Sequence, residues 1–164
     1  MRKVGIIVTP YSLEAEIQRR RKAMLIANIN VRQHGKTEGY IINDLIYVDV
    51  AITHGSKTLQ VSALIDTGSN ITVLSKDLAD RIFCQIETDN EIPVLNAYSP
   101  GSASAITSDI KISNNIEIAD QEIYLMDIEF FKTTCHMIIG MDIIQAGDLH
   151  VYKNGSLPYF TFEI

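Results

Sequence analysis

The residues best able to do chemistry lie in one stretch, Ala63-Leu64-Ile65-Asp66-Thr67-Gly68-Ser69-Asn70-Ile71-Thr72-Val73-Leu74-Ser75. An apolar run ends abruptly in Asp66, and another resumes at Ile71. Burying an unpaired carboxylate is expensive, so a core strand does not ordinarily stop this way. Gly68 frees the backbone to turn. The pattern puts Asp66 on a tight loop between two strands, with its carboxylate at the tip. Two readings of these residues stand side by side: a turn cap of the Asx type, or a carboxylate presented for acid–base work. Other chemistries find less support. His34, His54, His136 and His150 are scattered, without the paired spacing of metal ligands. Cys84 and Cys135 sit beside apolar runs and read as reduced core thiols rather than a disulfide framework. His136 adjoins Cys135, but sequence adjacency does not orient a thiol–imidazole pair. No glycine loop for phosphate is present, and Ser69 and Ser75 lack the Gly-x-Ser-x-Gly context of a hydrolase nucleophile.

Three motifs, in order, carry a family resemblance. Leu64-Ile65-Asp66-Thr67-Gly68-Ser69 resembles the active-site loop of aspartic proteases. Met137-Ile138-Ile139-Gly140-Met141-Asp142-Ile143-Ile144 resembles the strand, glycine and short helix that close the half-barrel of retropepsin-like proteins. Gly147-Asp148-Leu149-His150-Val151, the turn Asn154-Gly155 and the run Tyr159-Phe160-Thr161-Phe162 resemble the ending of single-domain bacterial members. The resemblance spans residues 40–164. It implies a mainly β fold, a closed half-barrel of the acid-protease type with one or two short helices.

It also implies an aspartic endopeptidase that acts on protein or peptide substrates, with no cofactor and no metal. Peptide hydrolysis by this route needs two carboxylates sharing one proton, since like charges about 3 Å apart cannot both ionise. This chain has a single Asp-Thr-Gly and no Asp-Ser-Gly. The second carboxylate is then Asp66 of another copy across a twofold axis, and a homodimer is expected. By resemblance, Thr67 hydrogen-bonds across the axis, Gly68 allows close backbone approach, and Ser69 donates to the outer oxygen of Asp66, favouring activity at acidic pH. Tyr98, Ser99, Pro100, Gly101 and Ser102 fall where the family carries a flap over bound peptide. Gly140 and Asp142 brace the active-site loop. Retroviral members often carry Arg where Met141 stands, so the bracing is expected to differ here. The alternative is a non-catalytic module on the same fold, holding an extended peptide by strand-like pairing.

The elements that position these residues follow from length, charge and pattern. A chain of 164 residues that is 46% hydrophobic and 21% charged suits one domain with a sizeable core. No apolar run reaches the roughly 18 residues of a membrane span, and Met1 to Pro10 lacks the cleavage site of a signal peptide. Together with the cysteine usage, this points to a cytoplasmic protein without a membrane partner. Residues 1–36 hold eight Lys/Arg against two Asp/Glu, a balance of +6, whereas residues 37–164 hold six against eighteen, a balance of −12. The acidic body argues against a nucleic-acid partner.

Residues 1–39 read as a basic accessory or pro-segment: a strand at Val4 to Val8, a helix from Ser12 through Ile29 containing Arg19-Arg20-Arg21-Lys22, and a polar linker over 32–39. The protease-like domain occupies 40–164. Strands are expected at Leu45–Ile52 and Thr58–Ile65, joined by a hairpin, and again at Ile71–Leu74, followed by a helix capped by Ser75. Runs at Ile92–Tyr98 and Ala103–Ile112 flank Ser99-Pro100-Gly101-Ser102, a strong turn signal. Separate strands are expected at Ile116–Ile118 and Ile123–Ile128. His136–Ile139 then leads into a helix over Met141–Ala146, stopped by Gly147. The hairpin Leu149–Tyr152 and Tyr159–Phe162 ends the chain.

Overall fold

The computed structural model describes residues 29–83, 91–95, 100–127 and 135–164. The first strands are β1 (Asn30–Gln33), β2 (Lys36–Tyr40), β3 (Ile46–His54), β4 (Lys57–Ile65) and β5 (Val73–Ser75), followed by helix α1 (Lys76–Phe83). Next come β6 (Glu91–Leu95), β7 (Pro100–Ile112), β8 (Ile116–Met126), β9 (Met137–Ile139), helix α2 (Met141–Ile144), β10 (Asp148–Asn154) and β11 (Leu157–Glu163). The expected strand at Val4–Val8, the helix begun at Ser12 with its basic run, Cys84, Tyr98 and Ser99 lie outside the described residues.

Period-two patterning builds the core. Val48, Val50 and Ile52 on β3 are buried, as are Leu59, Val61 and Ala63 on β4, while residues between them face outward. The β3–β4 hairpin turns at Gly55-Ser56, where Gly55 takes a left-handed φ of 60° that glycine adopts without steric cost. Six strands close into a barrel in the order β8-β5-β9-β4-β3-β7, with β7 pairing back onto β8. Closure removes free edges inside the ring. Strand β1 adds to β8, and β6 adds to β7. A second sheet, β10-β11-β2, lies against the barrel. Its Phe160 and Phe162 are buried in the shared core. On its other face Tyr152, Tyr159 and Tyr40 stand in a row, packed edge to face at 5.5 and 5.0 Å. Among the described residues the architecture is the mainly β barrel with two short helices that the resemblance implied. Among the described residues, no helix is long and apolar enough to cross a membrane.

Three local expectations are corrected. Residues 32–39 do not form a linker, and the expected domain boundary at 39/40 falls inside β2. The pairings are Asn30↔Ala119 and Val31↔Ile118 for β1, and Thr37↔Phe162 and Gly39↔Phe160 for β2. These strands are short and polar because β1 lies at a sheet edge and β2 has an outward face, so apolar patterning does not reveal them. The corner between them is tight. Gly35 exchanges two backbone hydrogen bonds with Ile164 at 3.0 and 3.1 Å, and a Cβ there would stand 2.2 Å from the Asn115 carbonyl oxygen.

The second correction is that Ile116 to Met126 is one strand rather than two. Its polar centre holds a bulge. Asp120 adopts φ 53°, and its N–H donates to Asp109 Oδ1 at 3.0 Å. Arg32 Nη1 donates to the other Asp109 oxygen at 2.7 Å, so this carboxylate ties β1, β7 and β8 together. Third, Pro100-Gly101 is not the turn. Pro100 pairs with Leu95, Gly101 with Val94 and Ser102 with Pro93, and the connection spans residues 96–99.

Two outcomes follow. Removing residues 1–40 takes away two paired strands and abolishes cooperative thermal unfolding followed by circular dichroism; an unchanged transition contradicts their place in the fold. The Asp109 carboxyl is held below its ordinary value, first by the Asp120 N–H and then by Arg32. A depressed folded pKa contributes stability that is complete above the unfolded value and is lost as pH falls through and below the carboxylate range. The gap in unfolding midpoint between the native chain and Asp109→Ala therefore narrows with acidification below that range. A gap independent of pH contradicts the assignment.

Candidate active site

Strand β4 delivers Asp66, and neighbouring backbone fixes where it emerges. Parallel pairing of Ile65 with Ile139 continues as the Asp66 N–H donates to the Ile139 carbonyl at 3.0 Å. The chain then turns. The Ser69 N–H returns to the Asp66 carbonyl at 3.1 Å, and the Gly68 N–H donates to Asp66 Oδ1 at 2.8 Å. The local geometry is thus an Asx turn, and the carboxylate is also half-exposed at the loop tip beside exposed Thr67 and Gly68. The Asx turn read from the sequence is the observed conformation. A Cβ at Gly68 would stand 3.1 Å from Asp66 Oδ1, closer than an ordinary contact.

The loop is held from behind. After it, β5 runs antiparallel to β9 and parallel to β8, so β9 lies between the strands that enter and leave the loop. The Met141 N–H donates to the Ser69 carbonyl at 2.8 Å. A Cβ on Gly140 would meet the Ile71 carbonyl oxygen at 2.3 Å, so only glycine permits this approach. Asp142, one residue into α2, receives the Thr72 N–H on Oδ2 and the Thr72 hydroxyl on Oδ1, each at 2.8 Å. The Ile143 N–H adds a third bond at 3.0 Å. Thr72 is fully buried, and its Oγ1 accepts the Gly140 N–H at 3.2 Å. The Thr72 carbonyl takes the Tyr124 N–H at 3.0 Å. Burial, with Glu122 accepting from the phenol and Asp142 nearby, raises Tyr124 far above the ordinary phenol range and keeps it neutral.

The structure thus brings Asp66, Gly68, Ser69, Gly140 and Asp142 into one cluster. One contact differs from expectation: the Ser69 hydroxyl donates to the Ile71 carbonyl at 2.7 Å rather than to Asp66. The turn puts that carbonyl two residues ahead, within reach of the short side chain, so the acidic preference inferred from Ser69 loses its basis. The expected flap divides. Its residues Tyr98 and Ser99 lie outside the described residues, and Pro100, Gly101 and Ser102 are strand residues of β7. Thr72 was missed in the sequence. The signal was there: a hydroxyl inside the apolar run Ile71 to Leu74 needs a buried partner.

Other candidates resolve into structure. Cys135 is buried, its Sγ donates to the Met137 carbonyl, and burial pushes the thiol up, so it is inert at neutral pH. His54 Nδ1 lies 3.1 Å from both the Thr107 carbonyl and Ser108 Oγ, pinning the β3–β4 hairpin. No three His, Cys, Asp or Glu side chains converge to hold a metal among the described residues.

The family model for aspartyl proteases matches residues 48–143, more than half of the chain. No curated protein matches at a significant level. Among solved structures, a retropepsin-like aspartic protease from Rickettsia conorii superposes with a TM-score of 0.50 at 14% identity, covering 80% of this chain and 94% of that one. At that identity the likeness speaks for the fold.

The cluster makes a stability prediction. Thr72→Val keeps the volume, removes the hydroxyl's bond to Asp142 while leaving the N–H bond, and strands the buried Gly140 N–H. Leaving one buried donor unsatisfied costs about 2 kcal/mol, measured as a lower urea midpoint with an unchanged slope. A loss close to zero contradicts the bracing of the loop by Thr72 and Asp142.

Proposed function

The chain belongs to the aspartyl protease family, and from that premise we propose that it is an endopeptidase whose active form is a homodimer pairing Asp66 with Asp66 of a second copy. One observation carries this reading: the single Asp-Thr-Gly aspartate stands half-exposed on a loop whose backbone is pinned to β9 and α2. A lone carboxylate in this position is half of a catalytic pair. Brought together across a twofold axis, two copies share one proton, because both cannot be charged at contact distance. The ionised member takes a proton from a water held between them, and that water attacks the peptide carbonyl. The protonated member polarises the carbonyl oxygen and later supplies the proton for the leaving nitrogen. The pair titrates as a unit.

In this reading Thr67 reaches across the axis to the partner loop, and Gly68 lets the two loops approach. Asp142 stays structural, since its oxygens are taken up by Thr72 and Ile143. The hairpin β6–β7 supplies the cover over bound peptide, with residues 96–99 at its end.

The test is cleavage of a diverse peptide pool from acid to neutral pH, read by mass spectrometry, with the native chain beside Asp66→Asn. Cuts present in the first and absent in the second are expected. Mixing the two chains lowers activity more than dilution alone, because mixed pairs lack one carboxylate. Cleavage that survives Asp66→Asn, or mixtures that behave as simple dilutions, would overturn the proposal.

A further inference from the structure

The last β-hairpin carries a residue pair that the protease reading does not use. Asn154-Gly155 is the one Asn-Gly in the chain, and every other asparagine is followed by a residue with a side chain. Strands β10 and β11 end at the pair Asn154↔Leu157, so Gly155 and Ser156 make the turn. Gly155 holds φ 65°, and a Cβ there would meet nothing within 4 Å. Residues 151–158 are exposed throughout, with Val151 at 60% and Leu157 at 54%. The tip therefore stands in solvent, while Phe160 and Phe162 further along β11 are buried. A hairpin end held by one terminal pair opens locally at small cost.

The Asn154 amide makes no hydrogen bond to the described residues. Elsewhere such amides are engaged or shielded. Asn30 Nδ2 donates to Asp120 Oδ2 at 3.4 Å, and Asn115 Nδ2 donates to the Lys36 carbonyl at 3.0 Å. Val31, Ile71 and Ile116 follow Asn30, Asn70 and Asn115, and their branched Cβ atoms crowd the main-chain nitrogen. Gly155 puts no Cβ beside its nitrogen. Rotation of the Asn154 main chain then brings that nitrogen onto Asn154 Cγ, closing a five-membered ring.

We infer that Asn154 is a self-modification site, which deamidates in the folded protein with water as the only co-reactant. The Gly155 main-chain nitrogen bonds to Asn154 Cγ and gives up its proton. The Cγ–Nδ2 bond breaks, and Nδ2 leaves as ammonia. The product is a cyclic imide. Water then adds at one of the two imide carbonyls and breaks its bond to nitrogen. Opening at Cγ leaves an aspartate with the ordinary main chain. Opening at the main-chain carbonyl leaves an isoaspartate, whose main chain runs through the side-chain methylene. Either product adds a negative charge beside Lys153. The second also lengthens the chain in the last β10–β11 pair, two pairs from Tyr152↔Tyr159. The site stands whether or not the protease reading holds, since no step of it involves Asp66.

The test is incubation of the full chain at neutral pH. Samples are digested over time with a glutamyl protease, which leaves residues on both sides of Asn154, and mapped by mass spectrometry. The mass gain of an amide turned to an acid is expected at Asn154 before any other asparagine, several-fold faster than at Asn43, Asn114 or Asn115. A methyltransferase specific for isoaspartate should label the same peptide. That label is lost in Asn154→Gln, whose longer side chain cannot close the five-membered ring. Asn154 is exposed, so this variant keeps the native melting curve, measured alongside. Conversion quickens as pH rises, because the attacking nitrogen must lose its proton. It runs at a similar rate in native buffer and in urea, because the tip opens without global unfolding. Conversion at Asn154 no faster than at the other asparagines overturns the proposal. So does conversion seen only in urea, which would mean that the folded turn protects the residue. Aspartate formed without isoaspartate would assign direct hydrolysis and overturns the cyclic route.

Discussion

The structure depends on a carboxylate that is not at the loop tip. Asp142 ties the backbone and hydroxyl of Thr72 to the first turn of α2, and Thr72 in turn accepts the Gly140 N–H. Gly140 sits against the Ile71 carbonyl with no room for a side chain. This knot fastens the chain leaving the Asp66 loop to the chain leaving β9. Without it the loop would keep its backbone bonds to Ile139 and Met141 but lose the side-chain tie between β5 and α2. A hydrogen-bonded polar cluster with Thr72 and Gly140 buried and Asp142 half-buried rigidifies its surroundings, because a buried group that lost its partner would pay a desolvation cost. Asp66 can then stand half in solvent while the residues around it stay fixed.

The barrel gives the knot its geometry. Strand β9 pairs in parallel with β4 and antiparallel with β5, so the two loops that meet at Gly140 are neighbours by topology. Parallel pairing requires long connections, and the chain between β4 and β9 provides one through the Asp66 loop, β5, α1 and strands β6, β7 and β8. The second sheet closes one flank with Phe160 and Phe162 and is anchored through β2 and the Gly35–Ile164 bonds. Segments that looked dispensable in sequence are therefore part of the fold.

Legibility in the sequence followed the physics of each segment. Strands β3, β4 and β11 were readable because one face is buried and their residues alternate, and the turns at Gly55 and Gly155 were marked by glycines that adopt left-handed φ. Asp66, Gly140 and Asp142 were found because an interrupted apolar run and a glycine before a short helix are local signals. Strands β1 and β2 were lost because an edge strand and a two-faced strand bury too little to show a pattern. The bulge at Asp120 broke the pattern of β8 without breaking its pairing. The Pro100-Gly101 signal was strong but local, and pairing with β6 overrode it. The bond from Ser69 to the Ile71 carbonyl depends on a turn geometry that composition does not encode.

The central claim is that one catalytic centre is built from two chains. The most direct measurement is the binding stoichiometry of a non-cleavable peptide carrying a hydroxyl in place of the scissile carbonyl, titrated by calorimetry against a known concentration of chain. Saturation at one ligand for every two chains, lost in Asp66→Asn, is the predicted result. Saturation at one ligand per chain would contradict the account.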